Sequence, residues 1–278
     1  MTILPTQRAL ALATLFAMVV TASASSPRQT GSLANRAQRI RSLSHELRWH
    51  GESDQARYQS VRDSATKDLL NQIDGYIADN FEPTRTTTDE VRRGLDTLLG
   101  KKPGEGMHDL AFTTDLPAGR FLIVGVELRR GGDAINEDAI SFRAYRQQDD
   151  RFIFVDSIDV LGGADDKPSQ PLVDLHAVPL SPAPISGEFW LMAWADVPPQ
   201  SPYTITARAY AFDGKQFRSV WAPADFIVEN IDNAVNVNGQ NVTLNRMPNW
   251  TSQTILHEQY SFSAAGAEKL TDWTSPRQ

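Results

Sequence analysis

Two side chains suited to gripping a ligand recur together in this chain, as Arg143-Ala144-Tyr145 and, 65 residues further on, as Arg208-Ala209-Tyr210. Residues two apart on a β-strand share a face, so each copy would set a guanidinium beside a phenol. Such a pair can line a groove that stacks on sugar rings or holds carboxylates, because arginine lies flat on aromatic faces and presents a planar fork of donors. It serves equally well as a half-buried seam between structural units, since both side chains have an apolar body and a polar tip. Arg143, Tyr145, Arg208 and Tyr210 are thus candidate ligand contacts, with packing as the competing role. Trp250, in the loop-like stretch Met247-Pro248-Asn249-Trp250-Thr251, is the fifth candidate, and a plug over the core is its structural alternative.

Three of the five histidines adjoin acidic residues, in His108-Asp109, Asp174-Leu175-His176 and His257-Glu258. Zinc requires three or four converging ligands, and one imidazole beside one carboxylate falls short, so no metal site is assigned and no cofactor is expected. His45 and His50 are off the spacing that places two imidazoles on one helix face. Acidic turns at 133–138, Asp149-Asp150 and Asp165-Asp166 lack the spaced acids, central glycine and terminal glutamate of an EF-hand loop. Asn241-Val242-Thr243 and Asn249-Trp250-Thr251 match the N-glycosylation acceptor, a pattern too short to weigh.

No G-x-S-x-G elbow, H-E-x-x-H helix, cysteine nucleophile, P-loop or G-x-G-x-x-G turn occurs. No catalytic residue is therefore assigned. A secreted hydrolase with dispersed carboxylates stays as an alternative, because triads and acid pairs are defined by geometry and not by order.

The elements that would position these residues divide the chain in two. Leu33, Ala37, Ile40, Leu43 and Leu47 fall three or four apart, as do Val61, Ala65, Leu69, Ile73 and Ile77, and each set predicts a helix. Pro83 stops the second. Thr87 with Glu90 fits a capping box for a third helix that Gly100 closes. The turn-rich stretch 101–106 then marks a change from helical to alternating pattern.

Beyond it, strands are predicted near 109–114, 120–128, 139–145 and 151–158, and again near 172–178, 188–195, 204–212 and 216–221. The 65-residue offset also aligns Asp109-Leu110 with Asp174-Leu175 and Phe152 with Phe217. In a shorter third unit Asn238-Gly239 turns a hairpin, Tyr260-Ser261-Phe262 echoes Tyr210-Ala211-Phe212, and Trp273 takes the place of Trp221. The expected fold is α+β: a helical segment at 25–106, then an antiparallel β region at 107–278 made of about three four-stranded units, near 107–165, 170–225 and 226–275. Tandem four-stranded units are propeller-like, though three fall below the usual four to eight blades. A β-sandwich is the alternative.

Address and charge narrow the partners. Arg8, an apolar run at 9–20 and Ala22-Ser23-Ala24 read as a signal peptide spanning 1–24. The run is shorter than the roughly 20 residues a membrane helix needs, so no stable membrane insertion is expected after cleavage. The absence of cysteine excludes a disulfide framework. Net charge is −7, with the excess of acid beyond Met107, and a surface of that sign repels phosphate backbones, which argues against nucleic acid. The sequence thus points to an exported protein, periplasmic or extracellular, that binds without catalysis and offers a β-rich surface to a protein or a carbohydrate. A structural or assembly role through a homodimer is a further alternative.

Overall fold

The computed structural model describes residues 33–49, 55–101, 109–130, 137–159, 173–197 and 203–277. The expected leader, the turn at 102–106, His50, His108, Asp165-Asp166 and most of the acidic run at 133–138 lie outside these residues. Three helices and three antiparallel sheets make up the described part.

The helices are α1 (Leu33–Trp49), α2 (Gln55–Asn80) and α3 (Thr88–Leu99). Leu69, Ile73 and Ile77 recur every four residues and are buried along one side of α2, with Phe81 just past its end. The capping box at α3 is formed: Glu90 N–H donates to Thr87 Oγ1 at 3.3 Å, and Thr87 N–H donates to Glu90 Oε2 at 2.8 Å. Reciprocal bonds of this kind satisfy amides that a helix start leaves unpaired. Gly100 ends the helix at φ 70°, a conformation that costs a side-chain-bearing residue more.

The first sheet runs β1 (Leu110–Leu116), β2 (Gly119–Arg130), β3 (Glu137–Gln148) and β4 (Arg151–Asp159) in that spatial order. The second repeats it with β5 (Val173–Pro179), β6 (Phe189–Asp196), β7 (Tyr203–Phe212) and β8 (Phe217–Trp221), and adds the three-residue β9 (Phe226–Val228) beside β7. The third comprises β10 (Val235–Asn238), β11 (Asn241–Arg246), β12 (Thr254–Ser263) and β13 (Gly266–Pro276).

Alternation along the central strands decides how these sheets stack. On β2, Leu122, Val124, Val126 and Leu128 share a core with the helices, while Phe121 and Ile123 share one with the second sheet. On β6, Leu191, Ala193 and Ala195 face back to the first sheet, and Trp190, Met192 and Trp194 face forward to the third. A strand buried on both faces reads as a nearly continuous apolar run, and Phe189–Asp196 is almost wholly apolar. The order of layers is helices, first sheet, second sheet, third sheet. Each layer shares its core with the next, and among the described residues no sheet closes on itself or into a ring.

Close packing shows at Gly125, where an added Cβ would lie 2.8 Å from Phe142 Cε1. Edge-to-face rings join the layers, Phe121 to Phe212 at 5.2 Å and Trp221 to Phe262 at 5.4 Å. Asp156 on β4 also accepts the Phe217 N–H at 2.7 Å, tying β4 of the first sheet to β8 of the second.

Candidate functional site

The two Arg-x-Tyr pairs occupy equivalent positions, each on the face its sheet turns to the preceding layer. For the first sheet that layer is α2. Asp74 receives Arg143 Nε at 2.7 Å on Oδ1 and a terminal guanidinium nitrogen at 2.5 Å on Oδ2, the fork-to-fork geometry of a strong ion pair. Tyr145 Oη donates to the same Oδ1 at 2.7 Å, and the Phe154 ring lies 4.7 Å from the guanidinium carbon.

Tyr145 is 0 % and Arg143 4 % exposed. Burial and the Asp74 carboxylate push the Tyr145 phenol well above its usual range. Burial works against the charge on Arg143, but Asp74 outweighs it and keeps the group cationic. The groove expected along Arg143 and Tyr145 is filled by a helix.

In the second sheet Tyr210 is 3 % exposed and packs 5.8 Å from Phe142. Arg208 is half-buried beside it and donates to the Ala207 carbonyl at 3.4 Å. The two pairs belong to different interfaces, so they form no common surface. Trp250, in the turn after β11, is the candidate that stands open, at 42 % exposure.

Among the described residues a different surface is left uncovered. Val235, Val242, Leu244 and Phe262 of the third sheet point into the core shared with the second. Their strand neighbours therefore point outward. Across the sheet, Asn236, Thr243, Gln259 and Thr271 fall in one row, Asn238, Asn241, Ser261 and Glu268 in a second, and Asn245, His257 and Trp273 in a third. All of these are exposed or half-buried. Every outward group is neutral at pH 7 or an imidazole, except Glu268 at the corner.

Apart from Glu268, the charged residues of these strands fall by alternation on the other face. Arg246 and Lys269 both donate to Glu258, Lys269 at 2.8 Å, and Lys269 also meets Asp272 at 2.8 Å. Burial opposes ionisation of Glu258, yet the bonds from Lys269 and Arg246 prevail and hold its carboxyl below the usual range.

At the centre of the third row the His257 and Trp273 rings stack, with centroids 5.0 Å apart and planes at 15°. The imidazole is held at both nitrogens: Nδ1 meets Asn245 Oδ1 at 2.7 Å and Nε2 meets Ser275 Oγ at 2.8 Å. Asn245 Nδ2 donates to the Asn233 carbonyl, which turns the amide oxygen toward the ring and makes Nδ1 the protonated nitrogen. Trp273 is 45 % exposed on the edge strand β13, and its indole N–H has no partner among the described residues.

The second sheet contains a buried version of the same pair. His176 on β5 stacks on its cross-strand neighbour Trp194 at 5.3 Å and 11°. There the indole N–H is used, donating to Ile231 O at 3.2 Å beneath the third sheet. Asp174, at φ 59°, begins a bulge in β5 that aims its own N–H and that of Leu175 at the buried Glu127 carboxylate, at 2.9 and 3.2 Å. His176 Nε2 lies 3.6 Å from Asp174 Oδ1 and 4.0 Å from Asp232 Oδ1. Among the described residues no three His, Asp or Glu side chains are grouped so as to hold a metal ion.

A cleft of about 500 Å³ opens between β1 and the β5–β6 connection, lined in part by Thr113, Asp115, Ser181 and Phe189. Glu188, also on its wall, is committed to Trp190 Nε1 at 2.8 Å and Arg218 at 2.7 Å. The cleft gathers no set of reactive groups.

Sequence reasoning flagged His257 and Trp273 separately and missed the surface that joins them. The signal was present in Asn241-Val242-Thr243-Leu244-Asn245, where polar and apolar residues alternate strictly. No protein-family model, curated protein or solved structure matches this chain.

Proposed function

We propose that this is an exported, non-catalytic binding protein whose recognition surface is the outer face of the third sheet. The observation that carries the reading is the contrast between the sheets: the first two are covered on both sides, while the third keeps a full face of hydrogen-bonding side chains around an exposed indole. Exposed aromatics are what binding surfaces concentrate. Export rests on the leader-like pattern at 1–24. We read the stack as blade-like units of one repeat, three in series, on the strength of the equivalent places of Tyr145 and Tyr210. Trp250 remains an accessory contact within the proposal.

Hydroxyl-radical footprinting of the protein mixed with surface material of the cells that secrete it tests the reading. His257 and Trp273 should be protected, while Phe154 and Tyr203, similarly exposed on other sheets, react as before. Unchanged reactivity at Trp273 would overturn the assignment of this face.

A further inference from the structure

Resting on that assignment, we infer that the ligand of the outer face is a neutral polysaccharide, lying across β11, β12 and β13 with the apolar face of one sugar ring on Trp273.

The charge pattern selects this class. An acidic polymer or a nucleic acid would be met by lysine or arginine, and the outward positions of β10 to β13 carry neither. The two cations of the sheet that pair with Glu258, Arg246 and Lys269, stand by alternation on its opposite face and are engaged by that carboxylate. A protein partner of ordinary affinity needs an apolar, water-free centre, and Trp273, with Leu270 at the β13 edge and the half-buried Ile255, is too scattered an apolar area among amides and hydroxyls to supply it. What remains complementary is a ligand without charge and dense in groups that both donate and accept.

While the Asn245 amide is engaged by His257 and the Asn233 carbonyl, Asn236, Asn241 and Gln259 each offer an amide oxygen and an NH₂, and Thr243 and Ser261 offer hydroxyls. A sugar hydroxyl likewise donates and accepts, so it can bond to any of them. Neighbouring strands stand about 4.8 Å apart, close to the length of one sugar residue in an extended chain. The rows running across the sheet therefore match the advance of the polymer better than the rows along a strand.

The stack supplies the apolar element. Sugar rings present patches of C–H to a flat aromatic, and binding costs least when that aromatic is fixed beforehand. His257, tied at both nitrogens, backs one face of the indole and leaves the other to solvent at the edge of the sheet.

The test is titration of the full secreted chain with soluble neutral polysaccharides, a β-glucan, a mannan and a xylan, beside the charged polymers alginate and heparin, followed by affinity electrophoresis and calorimetry. Binding to at least one neutral polymer and to neither charged one is expected. Trp273→Ala should weaken it tenfold or more, and Gln259→Ala, on a different strand, two- to fivefold, with thermal midpoints near wild type. If Trp273→Ala folds poorly, Gln259→Ala and Thr243→Ala carry the test. Binding that none of these variants alters, or binding to heparin or alginate alone, would overturn the inference. Protection of Trp273 by cell-surface material without affinity for any neutral polymer would also refute it while leaving the face assignment standing. Loss of both would remove both.

Discussion

The imidazole of His257 is wedged between the amide of Asn245 and the hydroxyl of Ser275, at 2.7 and 2.8 Å, and its face lies against the indole of Trp273. Asn245, His257 and Ser275, on three strands, thus fix one exposed aromatic ring. The arrangement separates two roles that mutation can tell apart, because His257 positions the ring and the contact we propose belongs to Trp273.

His257→Ala should leave the sheet folded, at a loss of about 1 kcal/mol for a cross-strand aromatic pair, and free the Trp273 ring. A smaller near-ultraviolet circular dichroism signal with an almost unchanged melting temperature is expected. An unaltered spectrum would show that the indole is held by something other than the imidazole.

Asp74 ties α2 to the first sheet through both Arg143 and Tyr145. Asp74→Ala leaves the Arg143 guanidinium and the Tyr145 hydroxyl buried without their partner, and breaking a buried ion pair from one side costs about 3–5 kcal/mol. Urea unfolding should show a loss in that range. The double variant Asp74→Leu with Arg143→Met removes both charges together and should recover part of it, the Tyr145 hydroxyl still lacking its acceptor. Additive losses in the two single variants would contradict the coupling.

Glu127 holds the bulge at Asp174 in place through two backbone N–H groups. Glu127→Gln replaces one carboxylate oxygen with a donor that faces another donor, so one amide is left unsatisfied at a cost of about 1–3 kcal/mol. Hydrogen exchange should quicken at Asp174 and Leu175 before it does elsewhere in β5. Equal protection in the variant would argue that the bulge stands without the carboxylate.

Two carboxyls make stability depend on pH in an unusual direction. Burial raises Asp109 to about 6, against the pull of Lys101 at 2.6 Å, and burial also raises Asp196 to about 6. A group with a higher pKa folded than unfolded binds its proton more tightly in the native state, so these two residues favour folding below about pH 4 and cease to do so as pH rises through 6. Glu258 acts oppositely, since its lowered folded value contributes stability at neutral pH that is lost on acidification. Asp196→Asn should therefore be more stable than wild type at pH 7.5 and lose that advantage at pH 4. The same difference in thermal midpoint at both pH values would refute the account.

Gly125→Ala brings a methyl against the Phe142 ring and should destabilise by about 1–3 kcal/mol, as overpacking does. A thermal melt checks this, and Phe142→Leu in the same chain should restore part of the loss.

Much of the scaffold was legible in the sequence because its strands are patterned individually. Ile140, Phe142 and Ala144 separate from Ser141, Arg143 and Tyr145 by alternation, and they do face different layers. The Thr87–Glu90 box and the Asn238-Gly239 turn are local chemistry and sit where the residues demand. The partners of each face were not legible. Nothing near Arg143 in sequence announces Asp74, which lies 69 residues earlier on α2. Nor does the composition of β6 reveal that both its faces are covered by different sheets. The three-residue β9 escaped notice because Phe226–Val228 is too short for alternation to register. The outer face of the third sheet was hidden for a related reason: its polar residues come from four strands, and only the register of those strands assembles them.

The serial arrangement of the layers gives the molecule a mechanical direction. A load applied through Pro276 acts on the edge strand β13, which is bonded to β12 alone, so under tension the β12–β13 ladder would unzip one bond at a time while the helices and the first sheet stay intact. Whatever pulls on the terminal layer thus loads the β12–β13 ladder before it reaches the seam between the helices and the first sheet.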